Sequence, residues 1–237
     1  GGIKIHSLGE KEIGAVCAIN SGTVSGSYPE GNVTLQGDAS IFGGVTGRNT
    51  GTVAVITLTS MPVIDATKSK LTVGGAVGAN EAIITQIVAK DLKFAKFSGY
   101  RYLGGITGTN GGSGKTTAGV SDCVYSGTMT EKTGAAGNCY GGIAGINYAT
   151  LSGCEITKIT MEIKGVYTAT STSTAAQKES LASHAGGITG KNETSATITS
   201  CVIDNNPDSR IRADYGMLGG VTGFNKGTIT MSGSSIT

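Results

Sequence analysis

Residues 104–110 read "GGITGTN", and how this phrase is read decides the fold. It returns as "GGVTGRN" at Gly43, "GGAVGAN" at Gly74, "GGIAGIN" at Gly141, "GGITGKN" at Gly186, "GGVTGFN" at Gly219 and, more loosely, "GAVCAIN" at Gly14. The lead glycines Gly14, Gly43, Gly74, Gly104, Gly141, Gly186 and Gly219 are 29, 31, 30, 37, 45 and 33 residues apart. A glycine-rich phosphate loop occurs once, between a strand and a helix, with a lysine at a fixed spacing. Here the phrase recurs without a following helix or that lysine, so its role is architectural. A repeat of this period marks a solenoid or an array.

Working outward, each column of the repeat has its own character. Asparagine closes every copy: Asn20, Asn49, Asn80, Asn110, Asn147, Asn192 and Asn225. The column two after the lead glycine is aliphatic (Val16, Val45, Ala76, Ile106, Ile143, Ile188, Val221) and is expected to face a core. The next column, mostly threonine (Cys17, Thr46, Val77, Thr107, Ala144, Thr189, Thr222), is expected to face outward by strand alternation. A second strand follows each asparagine and opens on Val24, Val53, Ile84, Val120, Leu151, Ile198 or Ile229. Three residues further along come Ser27, Ile56, Ile87, Cys123, Cys154, Cys201 and Ser232. A third, less regular strand is expected in stretches such as "KSKLTV" (68–73) and "SRIRAD" (209–214).

Composition agrees with strands and tight turns. Glycine is 40 of 237 residues, about two to three times the usual share, while proline is only 3. The nearest thing to a helical segment is the short "AAQKESLASHA" (175–185). Coils of about 30 residues are too short for four-stranded propeller blades, which need about 40–45. The reading is therefore all-β: a right-handed parallel β-helix of about seven coils rising about 4.8 Å each. In such a stack the asparagines meet at one corner and hydrogen-bond from coil to coil as a buried ladder.

The phrases "GGVTGRNTGTV", "GGVTGFNKGTI" and "GAVCAINSGTV" resemble the GLUG repeat of bacterial surface proteins, and seven copies cover nearly the whole chain. The copy at Gly74 departs most, lacking Gly-Thr after its asparagine. The resemblance implies an extracellular or cell-surface, often adhesive, protein, and it carries no catalytic residues to transfer. The expectation is one β-helix domain over residues 1–237. Neither end shows a clear cap, so the chain is further expected to be a segment of a longer surface protein.

Function classes narrow accordingly. Net charge is +2 with both signs mixed, which argues against a nucleic-acid groove. No apolar run reaches the length of a membrane span, so direct membrane insertion is not expected. Five cysteines without a CxxC pair give neither a full disulfide framework nor zinc spacing, and no cofactor or metal is expected. Cys123, Cys154 and Cys201 read as a stack of small buried thiols. His184 shares a column with Ile41, Thr72, Tyr102, Cys139 and Met217 and reads as a packing position, with no spacing that indicates a Cys–His pair.

Many β-helix proteins degrade polysaccharides, which takes two carboxylates close together. Glu81 and Glu193 share a column but lie three coils apart, and no adjacent acidic pair emerges. The expected function is a non-catalytic surface module for adhesion or display, with a host or neighbouring-cell protein or glycan as partner. A carbohydrate-active β-helix enzyme is the alternative. Insertions in solenoids become loops on one face, often the binding face. The two swollen repeats, after Gly104 and Gly141, are the places to look. Tyr100, Tyr102, Tyr140 and Tyr215 before the repeats and Tyr167 inside the longer insertion are the candidate ligand contacts.

Overall fold

The computed structural model describes residues 3–9, 11–26, 33–97, 99–112, 114, 117–134, 136–165, 172–204 and 206–230. The chain forms a parallel β-helix. Every strand pairs with its counterpart in the neighbouring coil, and the registers match like with like. Gly74 lies beside Gly43 and Gly104, and Asn80 beside Asn49 and Asn110.

The repeat phrase builds two seven-stranded sheets. The first holds the strands that end on the lead glycine, from Glu12–Gly14 to Met217–Gly219. The second holds the strands that end on the asparagine, from Cys17–Asn20 to Thr222–Asn225. The strands after the asparagine, such as Thr52–Leu58 and Thr150–Ser152, form a third sheet. Its largest member is the 15-residue strand Ile83–Phe97, which joins it to the return legs Val124–Glu131 and Glu155–Ile163. At the first coils the return legs Ile3–Ser7, Val33–Gly37 and Val63–Ala66 make a separate three-stranded sheet. Arg210–Ala213 is a return strand as expected from "SRIRAD", but Leu71–Val73 of "KSKLTV" already belongs to the first sheet.

The glycines allow the first two sheets to touch backbone to backbone. A Cβ on Gly74 would lie 1.8 Å from the Val77 carbonyl oxygen, and one on Gly75 would lie 1.9 Å from the Gly105 oxygen in the next coil. A Cβ on Gly108 would strike the Gly78 oxygen at 2.7 Å and the Val73 nitrogen at 2.8 Å, both in the preceding coil. Backbone atoms cannot yield as a side-chain tip can, so only glycine fits. The first coil carries the exposed Ala18 in the last of these columns, because its strands lie at the outer edges of their sheets.

One hydrophobic cluster runs up the interior from Ile13 to Cys201. It holds the aliphatic column from Val45 to Ile188 and the third-sheet column from Val53 to Ile198. Cys123, Cys154 and Cys201 take the places that Ile56 and Ile87 fill lower in the stack. All three are buried free thiols. The column three residues earlier also points inward because the chain turns between the two. Val55, Gln86, Asp122, Gly153 and Ser200 have φ between 53° and 59°, and Gly26 has φ 104°. A left-handed residue at each of these corners breaks the pleat, so positions three apart share the interior.

Two expectations from the alternation need correction. The threonine column does not face outward: Thr46, Val77, Thr107, Ala144 and Thr189 are completely buried. The ladder in this sheet pairs Val77, Ala79 and Asn80 with their neighbours and skips the glycine between the first two, so the pleat does not run through. Each buried threonine hydroxyl donates to the carbonyl two residues on, as from Thr107 to Thr109 at 2.9 Å. Conversely, Val16 of the aliphatic column is 51% exposed, because it lies in an edge coil. The short helix Ala175–Leu181 falls within the weakly helical stretch and is capped by Thr174 and Gln177.

Candidate functional site

The asparagine column forms a continuous hydrogen-bonded ladder. Each Nδ2 donates to Oδ1 of the next coil's asparagine, from Asn20 to Asn49, through Asn80, Asn110 and Asn147 to Asn192, and on to Asn225, at 2.8–2.9 Å. The same amides donate to backbone carbonyls, as Asn49 does to Ile83 at 3.0 Å. The Oδ1 of Asn147 accepts the Ala149 N–H at 3.2 Å. Asn49, Asn80, Asn110, Asn147 and Asn192 are fully buried and Asn20 nearly so. Asn225 is exposed, as the last coil has no described neighbour above it. The ladder is thus the spine of the solenoid.

A different set of columns meets at the surface. The residue two before the lead glycine in one coil packs near the variable residue of the next coil's second-sheet strand. In the lower coils this brings Glu12 to Arg48, whose Nη2 lies 2.6 Å from Glu12 Oε1, and Glu81 holds the other Nη. Burial depresses the Arg48 guanidinium, but the two carboxylates outweigh it and raise its pKa.

In the upper coils the same face opens into a cleft of about 250 Å³. Tyr102, Cys139 and His184 come from the first sheet, Ile146 and Lys191 from the second, Tyr148 and Glu193 from just past the asparagine, and Glu179 and Ser180 from the helix. The longer insertion therefore supplies one wall. Lys191 Nζ sits 2.7 Å from Glu193 and 3.1 Å from Glu179, and Lys226 binds Glu179 at 2.7 Å. The Arg101 guanidinium lies over the Tyr102 ring at 5.2 Å. Burial pushes the Tyr148 phenol up to about 12, with Tyr102 and Glu193 adding to it.

Two arrangements here touch on catalysis. Cys139 Sγ lies 3.8 Å from His184 Nδ1, a pairing that follows from their shared column, stacked in adjacent coils. Burial pushes the thiol up to about 12 and pulls the imidazole down to about 4, with Lys191 adding to the second shift. Both groups are neutral at pH 7, whereas an activated cysteine is a thiolate. Glu179 and Glu193 share one ammonium and are the two carboxylates that line the cleft. Lys226 and Lys191 hold the Glu179 carboxyl below its usual range, opposite to what a general acid needs. Among the described residues no group of three His, Cys, Asp or Glu is arranged to hold a metal ion.

The candidate tyrosines part company. Tyr102 lines the cleft. Tyr140 is fully buried and fills the core, its hydroxyl donating to Glu131 at 2.7 Å and accepting from Asn138 at 2.8 Å, so it is no ligand contact. Its column signals this, since the other coils carry Ile13, Phe42, Val73, Leu103 and Ala185 there. Tyr100 is half-buried against the core, and burial raises its phenol to about 12. Tyr215 is 60% exposed, outside the cleft. Tyr167 lies outside the described residues. Tyr148 was not among the candidates. It occupies the column after the asparagine, where Glu81, Glu193 and Lys226 also sit, and that run of polar residues was the available signal. In comparisons with family models, curated proteins and solved structures, no match to the chain was found.

Proposed function

We propose that the protein is a non-catalytic recognition module of a bacterial cell surface or extracellular space, used in adhesion or display and binding glycans or surface proteins. The observation that carries this reading is the cleft face of the rod. Rigid in-register strands hold tyrosines, an arginine and paired charges at a wall added by an insertion. Functional sites are most often carried by loops on such a scaffold. The neutral Cys139–His184 pair and the ionised Glu179 support binding over turnover. The GLUG-like phrasing supports the location, and among the described residues no helix is long and apolar enough to cross a membrane.

Glu179 and Glu193 on one lysine favour a second reading, a carbohydrate-active β-helix enzyme. Incubation with polysaccharides, host glycans and matrix proteins separates the two. Saturable binding without turnover is expected. Turnover of a polysaccharide, lost in Glu193→Gln, would overturn the binding-module reading.

A further inference from the structure

The cleft beside the helix is more than a gap between ion pairs. It offers donors and acceptors at close spacing: the Arg101 guanidinium, the phenols of Tyr102 and Tyr148, and the Lys191–Glu193 pair. Its lining charges balance, two cations (Arg101, Lys191) against two anions (Glu179, Glu193), so it does not select a phosphate, a carboxylate or a cation. His184 also lines it. That residue is 2% exposed, and its Nε2 is a buried polar atom with no hydrogen-bond partner. A buried polar group left unpaired is destabilising, and a ligand that reaches it removes that penalty. Tyr148, half-buried, adds aromatic surface to a polar wall. The volume of about 250 Å³ has room for about eight waters, or for one sugar ring.

We infer that this cleft binds a neutral saccharide, with one ring seated against Tyr148 and its vicinal hydroxyls shared between Arg101 and the Lys191–Glu193 pair. Sugar hydroxyls both donate and accept, which suits groups of opposite charge held side by side, and ring C–H groups suit an aromatic surface. The polar groups are held in advance: Lys191 is fixed by two carboxylates and Glu179 by two lysines, so little side-chain freedom is lost on binding. This inference rests on the recognition-module reading, for which it names a site and a ligand class.

The test is saturation-transfer NMR and calorimetry on the whole protein with glucose, galactose, mannose and N-acetylglucosamine. Glucuronate and glucose 6-phosphate are the charged comparisons. The expected result is preference for a neutral sugar, with affinity weakened at least tenfold in Tyr148→Ala and Glu193→Gln and unchanged in Tyr215→Ala. The half-buried Tyr148 and Glu193 lie outside the core cluster, and melting curves check that both variants remain folded. Binding that survives both cleft substitutions overturns the cleft assignment and leaves the recognition-module reading standing. Tighter binding of the charged sugars overturns the neutral-ligand inference, as does the absence of binding by all six. Turnover of a bound sugar overturns the module reading instead, while loss of that turnover in Tyr148→Ala still supports the cleft.

Discussion

Each interior asparagine is at once a corner brace within its coil and a rung between coils. Asn147 accepts from Asn110 and from the Ala149 N–H, and donates to Asn192 at 2.8 Å and to the Ala149 carbonyl at 3.1 Å. Asn147→Ala removes this set and leaves buried groups of its neighbours unpaired, so a loss of about 1–3 kcal/mol in urea unfolding is expected. Asn225→Ala at the exposed end removes only the last rung, from Asn192, and should cost clearly less than Asn147→Ala. Equal effects at the two positions would sink the ladder as a source of stability. His184 gives a pH signature of opposite character. Its imidazole is pulled from the usual 6.5 to about 4 by burial. Between those values the unfolded chain takes up a proton that the folded one refuses, so stability is complete above about pH 6.5 and falls as pH drops towards 4. His184→Gln should flatten that part of the stability–pH curve, and an unchanged slope would assign it to other groups.

At the scale of strands and corners, the left-handed residues explain a spacing that alternation alone does not. Gly26 and Gly153 meet this conformation without a Cβ, but Val55 adopts φ 54° with a branched side chain that is 59% exposed. A left-handed non-glycine residue costs about 1–2 kcal/mol, and the glycine entropy penalty offsets part of that. Val55→Gly should therefore raise stability by about 0.5–1 kcal/mol in thermal or urea melts, and a destabilised variant would show that the corner is not strained. The same elements show where sequence was enough. Identical residues stack on identical residues in a parallel coil, so the spacing of lead glycines and asparagines carried the sheets and the coil count. It did not carry the burial of Thr46 and Thr107, because the glycine between the paired positions interrupts the pleat. Nor did it carry the cleft, whose residues come from three coils and an insertion with its own helix. Tyr140 and Tyr102 illustrate the difference: their columns are adjacent, yet one faces the core and the other the cleft.

Across the whole molecule, stability is distributed as in a one-dimensional stack, where each coil is held by the coils on either side. Interior coils have two neighbours and the end coils one. The burial pattern follows this: the second-sheet strand Ala144–Asn147 is buried throughout, whereas Thr222–Asn225 is half-buried to exposed. Opening should therefore begin at the ends and proceed inward, coil by coil. Amide hydrogen exchange distinguishes this from protection set by individual bonds. The Lys226 N–H donates to Asn192 at 2.7 Å, a shorter bond than that from Ile106 to Ile143 at 3.1 Å. If bond geometry governed exchange, Lys226 would be the better protected of the two. If the stack governs it, Ile106, three coils from the last, should exchange orders of magnitude more slowly than Lys226, with the Ile143 and Ile188 amides grading between them. Asn147→Ala should then raise exchange most in the coils that it touches, through the rungs to Asn110 and Asn192. Protection that is uniform from first coil to last would mean that the rod opens as a single unit and that the ladder couples all seven coils at once, whereas protection ordered by bond length would mean that individual bonds and not the stack set it.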